Sequence, residues 1–365
     1  MTLTGLTIPF FGLRKQYASL RNEILDATDE ILRSGQLMNG NNTIEFENWL
    51  AKKNHSKYAV TCHSGTQALQ IIAEFYRDDL LNQKVVLPSF TYPATINAFI
   101  AAGYDSSKIL LADVDHHGIL DVAKLDYSQV FGVVVVVGLY GASIKKHCEH
   151  LIANIIIEDA AQHWLADGCM RYGLATAISF DPTKNLPNYA NGGAVVTNNL
   201  DLMEFARTWR SNGRPDHAVF GSNSRMSEVD CKQLLIKTQY LDKWQQRRKI
   251  IAKHWIDIFT DAGIKCLIDD SNFRSHGFQK FVIDIDHRNH IQEKLALRKI
   301  ETKIHYEQSI FELPAYAYFN VGNPFLSNSA SLSRRVLSLP FYPELTDLEV
   351  EYIADQVLRV CSKTI

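Results

Sequence analysis

The chain has no excess of charge of either sign. Its 365 residues carry 38 lysines and arginines against 40 aspartates and glutamates, a formal net charge of −2. That balance gives no electrostatic footprint for nucleic acid or for an anionic membrane. The one dense basic cluster, Arg247-Arg248-Lys249, sits among acids and reads as a solvated helix face. Cysteines are few and form no CxxC pair: Cys62, Cys148, Cys169, Cys231, Cys266 and Cys361. They read as reduced, mostly buried thiols of a cytoplasmic protein. His147, Cys148 and His150 lie close together, but no carboxylate or third histidine is evident beside them, so no metal is expected. Long apolar runs are missing too. The most hydrophobic, Val130 to Leu139, is too short to span a bilayer and reads as a buried central strand. The N-terminus shows no basic-then-apolar signal, since Arg14 and Lys15 follow the first apolar stretch. No Gly-x-Gly-x-x-Gly follows a strand, which removes support for a dinucleotide site.

What is present is an alternation. Apolar runs at Val85 to Leu87, Ile109 to Asp113, Val133 to Val137, Ile155 to Ile157, Ala177 to Phe180 and Ala194 to Thr197 are separated by helical patterns. Continuously apolar strands between helices predict an α/β fold, with a mostly parallel sheet covered on both faces. Residues 16–33 place Leu20, Ile24, Ala27, Ile31 and Leu32 on one helical face, stopped by Ser34-Gly35. A long helix is expected over 227–262, with Leu234, Leu235, Leu241, Trp244 and Ile250 as its stripe. The C-terminal part reads as strand Lys280 to Ile285, helix Asn289 to Lys299, strand Thr302 to Tyr306 and helix Asp347 to Val360. Length alone favours two domains.

The most specific segment is Ile178-Ser179-Phe180-Asp181-Pro182-Thr183-Lys184-Asn185, closed by Gly192-Gly193-Ala194. Its turn residues leave Lys184 on a loop between two strands. Upstream, Ile155-Ile156-Ile157-Glu158-Asp159 delivers a carboxylate to the C-terminal end of a buried strand, the edge where ligands sit in open α/β sheets. Val60-Thr61-Cys62-His63-Ser64-Gly65-Thr66 runs from a strand into a helix, with Ser64 as N-cap and Gly65 allowing close approach of a phosphate. Pro88-Ser89-Phe90-Thr91-Tyr92 offers an aromatic at another strand end. A lysine, a strand-end carboxylate, a phosphate loop and a stacking ring are what pyridoxal phosphate requires.

In that order these segments resemble the DegT/DnrJ/EryC1/StrS family of sugar aminotransferases, within fold type I of the pyridoxal phosphate enzymes. The resemblance continues through Glu158-Asp159-Ala160-Ala161-Gln162, Gly221-Ser222-Asn223-Ser224-Arg225-Met226, His305-Tyr306 and Leu339-Pro340-Phe341-Tyr342-Pro343. It implies a large cofactor-binding domain over residues 1–250 and a smaller C-terminal α+β domain over 251–365. It also implies covalent attachment of the cofactor at Lys184, Asp159 at the pyridine nitrogen and Gln162 at the ring hydroxyl. Tyr92 would stack on the ring, and Gly65, Thr66 and Ser179 would hold the phosphate. Asn223 would reach that phosphate from a second subunit, which makes a homodimer part of the active site. His305, Tyr306 and Arg225 would line the substrate site. The implied reaction moves an amino group, expected from L-glutamate, onto a keto-sugar, most readily a nucleotide-linked one. A cyclitol ketone is an alternative acceptor, and a dehydratase or lyase on the same fold an alternative chemistry. Dehydrating relatives carry histidine at the lysine position, so Lys184 argues against that branch. Three departures from the family pattern, Asp181, Asn191 and His163-Trp164, are expected to reshape the substrate pocket.

Overall fold

The computed structural model describes residues 7–80, 83–128, 130–169, 172–320 and 326–362. Among the described residues ten strands alternate with helices. The large sheet uses β1 (Tyr58–Cys62), β2 (Lys84–Pro88), β3 (Ile109–Ala112), β4 (Phe131–Val137), β5 (Ile155–Asp159), β6 (Ala175–Ser179) and β7 (Gly193–Thr197). Their spatial order is β1-β7-β6-β5-β4-β2-β3. Only β7 runs against the rest, pairing antiparallel with β1 and β6, while the β6-β5-β4-β2-β3 contacts are parallel. In β4 all seven residues are buried. Such a strand is apolar on both faces because helices cover both.

Those helices are α1 (Leu13–Ser34), α2 (Asn41–Lys53), α3 (Gly65–Leu80), α4 (Ala94–Ala101), the single-turn α5 (Lys145–Cys148), α6 (Leu200–Trp209), α7 (Glu228–Thr238) and α8 (Leu241–Asp261). A second, antiparallel sheet of β8 (Lys265–Cys266), β9 (Phe281–Asp284) and β10 (Val336–Leu339) packs with α9 (Arg288–Leu297), α10 (Ser327–Arg335) and α11 (Asp347–Cys361). Helix α8 passes from one core to the other. Leu241 and Trp244 join the cluster beneath β6 and β7, whereas Trp255 and Phe259 join the cluster of the small sheet.

Several expectations are corrected. The helix expected over 227–262 is two helices, separated at Gln239 and Tyr240. Leu32 and Ile250, expected on apolar helix faces, are 59% and 60% exposed. The strand expected over Thr302 to Tyr306 is a single bridge, Lys303 to Ser338. Beyond it the chain turns inward, and Tyr140 Oη donates to the His305 carbonyl. The basic cluster is not a uniformly solvated face: Arg248 is buried and donates to Phe341 O at 2.7 Å. Burial pulls its pKa down to about 10. Among the described residues no helix is long and apolar enough to cross a membrane.

Candidate active site

Strand ends converge on one cavity of about 480 Å³. Its walls include Gly65, Thr66, Tyr92, Asp159, Gln162, Ser179, Lys184, His305 and Tyr306. That volume suits a cofactor with part of a substrate.

Close backbone packing builds one end. Ser64 Oγ accepts from Gln67 N–H at 3.2 Å and so caps α3. A Cβ on Gly65 would stand 2.8 Å from Ser179 Cβ, and one on Gly193 would stand 2.3 Å from the Ser64 carbonyl carbon. Glycine at both positions lets the start of α3 lie directly on the β6–β7 edge. The 16-residue helix therefore presents its N-terminal donors to the cavity beside Thr66 and Ser179.

Asp159 ends β5, in register with Val137 and Ala177. It is 6% exposed. Thr95 Oγ1, in the first turn of α4, donates to its Oδ2 at 2.7 Å, and Ala161 N–H donates to Oδ1 at 3.2 Å. Among the described residues it has no ion-pair partner, so the carboxylate is oriented while its charge remains for a ligand cation. Gln162 is held at both ends: Tyr140 N–H donates to Oε1 at 2.8 Å, and Nε2 donates to Tyr306 Oη at 3.2 Å. The Tyr92 ring, 57% exposed, lies 5.8 Å from that of Tyr306.

Lys184 follows a turn in which its N–H donates to Asp181 O at 2.9 Å. Thr183 N–H donates to Asp181 Oδ1 at 2.9 Å, so the acid shapes the loop as well as charging it. The lysine is half-buried at the cavity wall. Burial lowers its pKa below the ordinary lysine value, and the nearby carboxylates Asp181 and Asp159 oppose that. Its amine is thus easier to deprotonate than a surface lysine's. His305 Nδ1 lies 2.9 Å from Ser338 Oγ. Burial first, then the charges of Lys280, Lys184 and Lys303, push its pKa down to about 2, so the imidazole is neutral.

Asn223 and Arg225 are the two expected residues that the described chain leaves off this cavity. They pair instead with each other, Arg225 Nη2 donating to Asn223 Oδ1 at 3.1 Å, and Asn223 is exposed. Asp181 and Asn191 do line the cavity. His163 and Trp164 do not. His163 Nδ1 accepts from Gly138 N–H at 3.0 Å, and the Trp164 ring packs against Trp49 and Phe180. Their departure from the pattern is a matter of core packing, which corrects the expectation that they shape the pocket. Sequence reading also missed Thr95 and Lys280. Thr95 had a local signal, since it opens a helix just past a strand end; Lys280 was read only as a strand start. His147 has a carboxylate neighbour after all, Asp115 Oδ2 at 2.9 Å. That partner comes from a loop 32 residues away in sequence.

The comparisons with known proteins point to one family. The DegT/DnrJ/EryC1/StrS aminotransferase family model matches residues 18–358. The chain is 32% identical over 368 residues to a dTDP-3-amino-3,6-dideoxy-alpha-D-galactopyranose transaminase of Aneurinibacillus thermoaerophilus, covering 96% of this chain and 99% of the relative. It is 28% identical over 360 residues to the UDP-2-acetamido-2-deoxy-3-oxo-D-glucuronate aminotransferase of Pseudomonas aeruginosa, covering 95% and 98%. The X-ray structure of Streptomyces venezuelae DesV superposes with a TM-score of 0.87 at 29% identity, covering 97% of this chain and 98% of that one. With a fold-type-I architecture, a lysine and a carboxylate in one cavity, and a family match nearly end to end, the chain belongs to the DegT/DnrJ/EryC1/StrS aminotransferases.

Proposed function

We propose that this cavity binds pyridoxal 5'-phosphate and that the protein transfers an amino group from L-glutamate to a nucleotide-linked keto-sugar, yielding an amino-sugar. The observation that carries the reading is the sharing of one cavity by Lys184, Asp159 and the N-terminus of α3. The donor set fits the cofactor. Gly65, Thr66 and Ser179 would hold its phosphate, Tyr92 would stack on its ring, Gln162 would reach its hydroxyl and Asp159 its ring nitrogen. When bound, pyridoxal phosphate supplies an electron-withdrawing ring that stabilises negative charge on the carbon beside the transferred nitrogen.

The chain's own residues do the rest. Asp159, oriented by Thr95 and Ala161, would stand at the ring nitrogen and favour a proton there. Lys184 would hold the cofactor covalently and would serve as the base that takes a proton from the donor's α-carbon and returns one to the product. Burial lowers the pKa of its amine, which favours the neutral form that the base role needs. His305 and Tyr306 would line the sugar site, and Arg225 would meet the substrate from outside the single-chain cavity. Asn223 would complete the phosphate site of a partner subunit, so the working unit is a homodimer. The dTDP- and UDP-sugar activities named for the two relatives are the source of the acceptor class. Cys62, Cys148, Cys231, Cys266 and Cys361 are buried thiols outside any disulfide, in keeping with a cytoplasmic enzyme.

Absorbance spectroscopy tests this directly. Wild-type protein given pyridoxal phosphate should show the visible band of the lysine-bound cofactor, and L-glutamate should bleach it. Lys184→Ala should show neither the lysine-linked band nor reductive fixation of the cofactor by borohydride. A wild-type protein without the band would sink the assignment.

A further inference from the structure

The cavity holds a second lysine to which the reaction above gives no role. Lys280 immediately precedes β9 and is 6% exposed, yet it lines the cavity with Lys184 and Asp159. Its place is rigid. The N–H groups of Gln279 and Lys280 both donate to Tyr140 O, each at 3.0 Å. Gln279 Nε2 donates to Thr183 O, in the lysine loop, at 2.9 Å; this turns its Oε1 to accept from Lys280 Nζ at 2.7 Å. That contact uses one of three ammonium donors. Among the described residues no carboxylate forms an ion pair with Lys280. Burial first, then the like charges of Lys184, Arg248 and Lys303, push its pKa well below the ordinary lysine value, and Asp181 opposes them, so holding the proton here calls for a further negative charge.

A buried lysine need not serve a ligand, and this protein contains the contrasting case. Lys237 is fully buried, donates to Pro187 O at 2.6 Å and sits 3.5 Å from the centroid of the Tyr189 ring. It is satisfied by its own chain and does not line the cavity. Lys280 instead keeps unused donors at the wall of the reaction cavity. An ammonium held there without a counter-charge is costly unless a ligand brings one. The phosphate end has its own donors at the start of α3, so the matching group is a second anion. One amine beside a neutral His305 suits a single negative charge better than a dianion.

We propose that Lys280 is the docking group for a substrate carboxylate beside Lys184, the carboxylate belonging either to the amino donor or to an acidic acceptor sugar. The inference rests on the aminotransfer reading of the cavity. The test compares full-length wild type with Lys280→Met and Lys280→Gln. Calorimetry measures binding of glutarate, a dicarboxylate without an amine. Spectral titration of the cofactor band measures apparent affinity for L-glutamate. From the amino form, the same titration uses two nucleotide-linked keto-sugars that differ only in bearing a carboxylate or a methyl at C6.

Removing the cation should weaken a carboxylate ligand by about tenfold or more. Affinity for the carboxylate-free sugar should stay as in wild type. Weakening for glutarate and L-glutamate assigns the donor's carboxylate; weakening confined to the acidic sugar assigns the acceptor's. A normal cofactor band with unchanged affinity for every carboxylate overturns this inference alone, as does a uniform fall that includes the carboxylate-free sugar. Absence of the band in wild-type protein overturns the aminotransfer reading and this inference with it.

Discussion

At the residue scale the decisive quantity is the protonation of Lys184. Burial lowers its pKa, and the carboxylates of Asp181 and Asp159 pull it back up. Removing one of those charges has a definite sign. Asp181→Asn keeps an oxygen that can accept from Thr183 N–H, so the turn should survive, but it no longer stabilises the ammonium. The Lys184 pKa then falls further. The acid limb of the pH profile for cofactor attachment should therefore move to lower pH in Asp181→Asn, measured from the visible band across a pH series. A shift to higher pH, or none, would show that Asp181 does not reach the amine electrostatically. Lys184, Asp159 and Gly65 were legible as cavity residues because each stands in a segment whose local chemistry announces it, a turn, a strand end and a cap, whereas Gln162 came only from the family resemblance. Lys280 was not legible. Its neighbours Thr183, Tyr140 and Lys184 come from loops 96 to 140 residues away, and an amphipathic strand start commonly carries a lysine that snorkels.

At the scale of elements, the N-terminus of α2 shows how distant sequence can supply what local sequence lacks. Gly40 precedes this helix, and its own side chain cannot cap. Glu228, 1% exposed at the start of α7, does so instead. It accepts from Gly40 N–H at 2.8 Å, Asn42 N–H at 2.9 Å and Thr43 N–H at 3.0 Å, and also from the Thr43 hydroxyl. Burial raises its pKa, but those hydrogen bonds outweigh it and the net shift is downward from 4.5. A depressed carboxylate stabilises the fold above its unfolded pKa, and that stability is lost as pH falls through the folded value. Glu228→Gln should cost about 2 kcal/mol at neutral pH, read from chemical denaturation, since an amide presents hydrogens to some of those donors. The gap between variant and wild type should narrow when the pH is taken below 4.5. An equal gap at both pH values would mean that the charge is not what α2 uses. The same distance explains the misread elements. No proline or glycine marks the break at Gln239 and Tyr240, and nothing local says that Thr302 to Tyr306 pairs only once before turning inward.

At the scale of the whole molecule, the order of motifs along the chain predicted the sheet and the meeting of strand ends, because parallel strands carry their C-terminal residues to one edge. The proposed homodimer would account for the residues left outside the cavity. Asn223 and Arg225 hold each other on an exposed segment, although the family pattern gives both a place at the site. If each site borrows Asn223 from a second copy, two different lesions should complement. Lys184→Ala and Asn223→Ala, each of low activity alone, would be unfolded together and refolded as mixed dimers. One of the two sites in such a dimer then has both residues intact. Random pairing should restore about a quarter of wild-type activity, the statistical share of intact sites in a C2 dimer. Activity equal to the mean of the two parents would mean that Asn223 serves its own chain or neither. Sedimentation of the refolded mixture separates that outcome from failure to dimerise, because a monomeric mixture cannot complement whichever chain the residue serves.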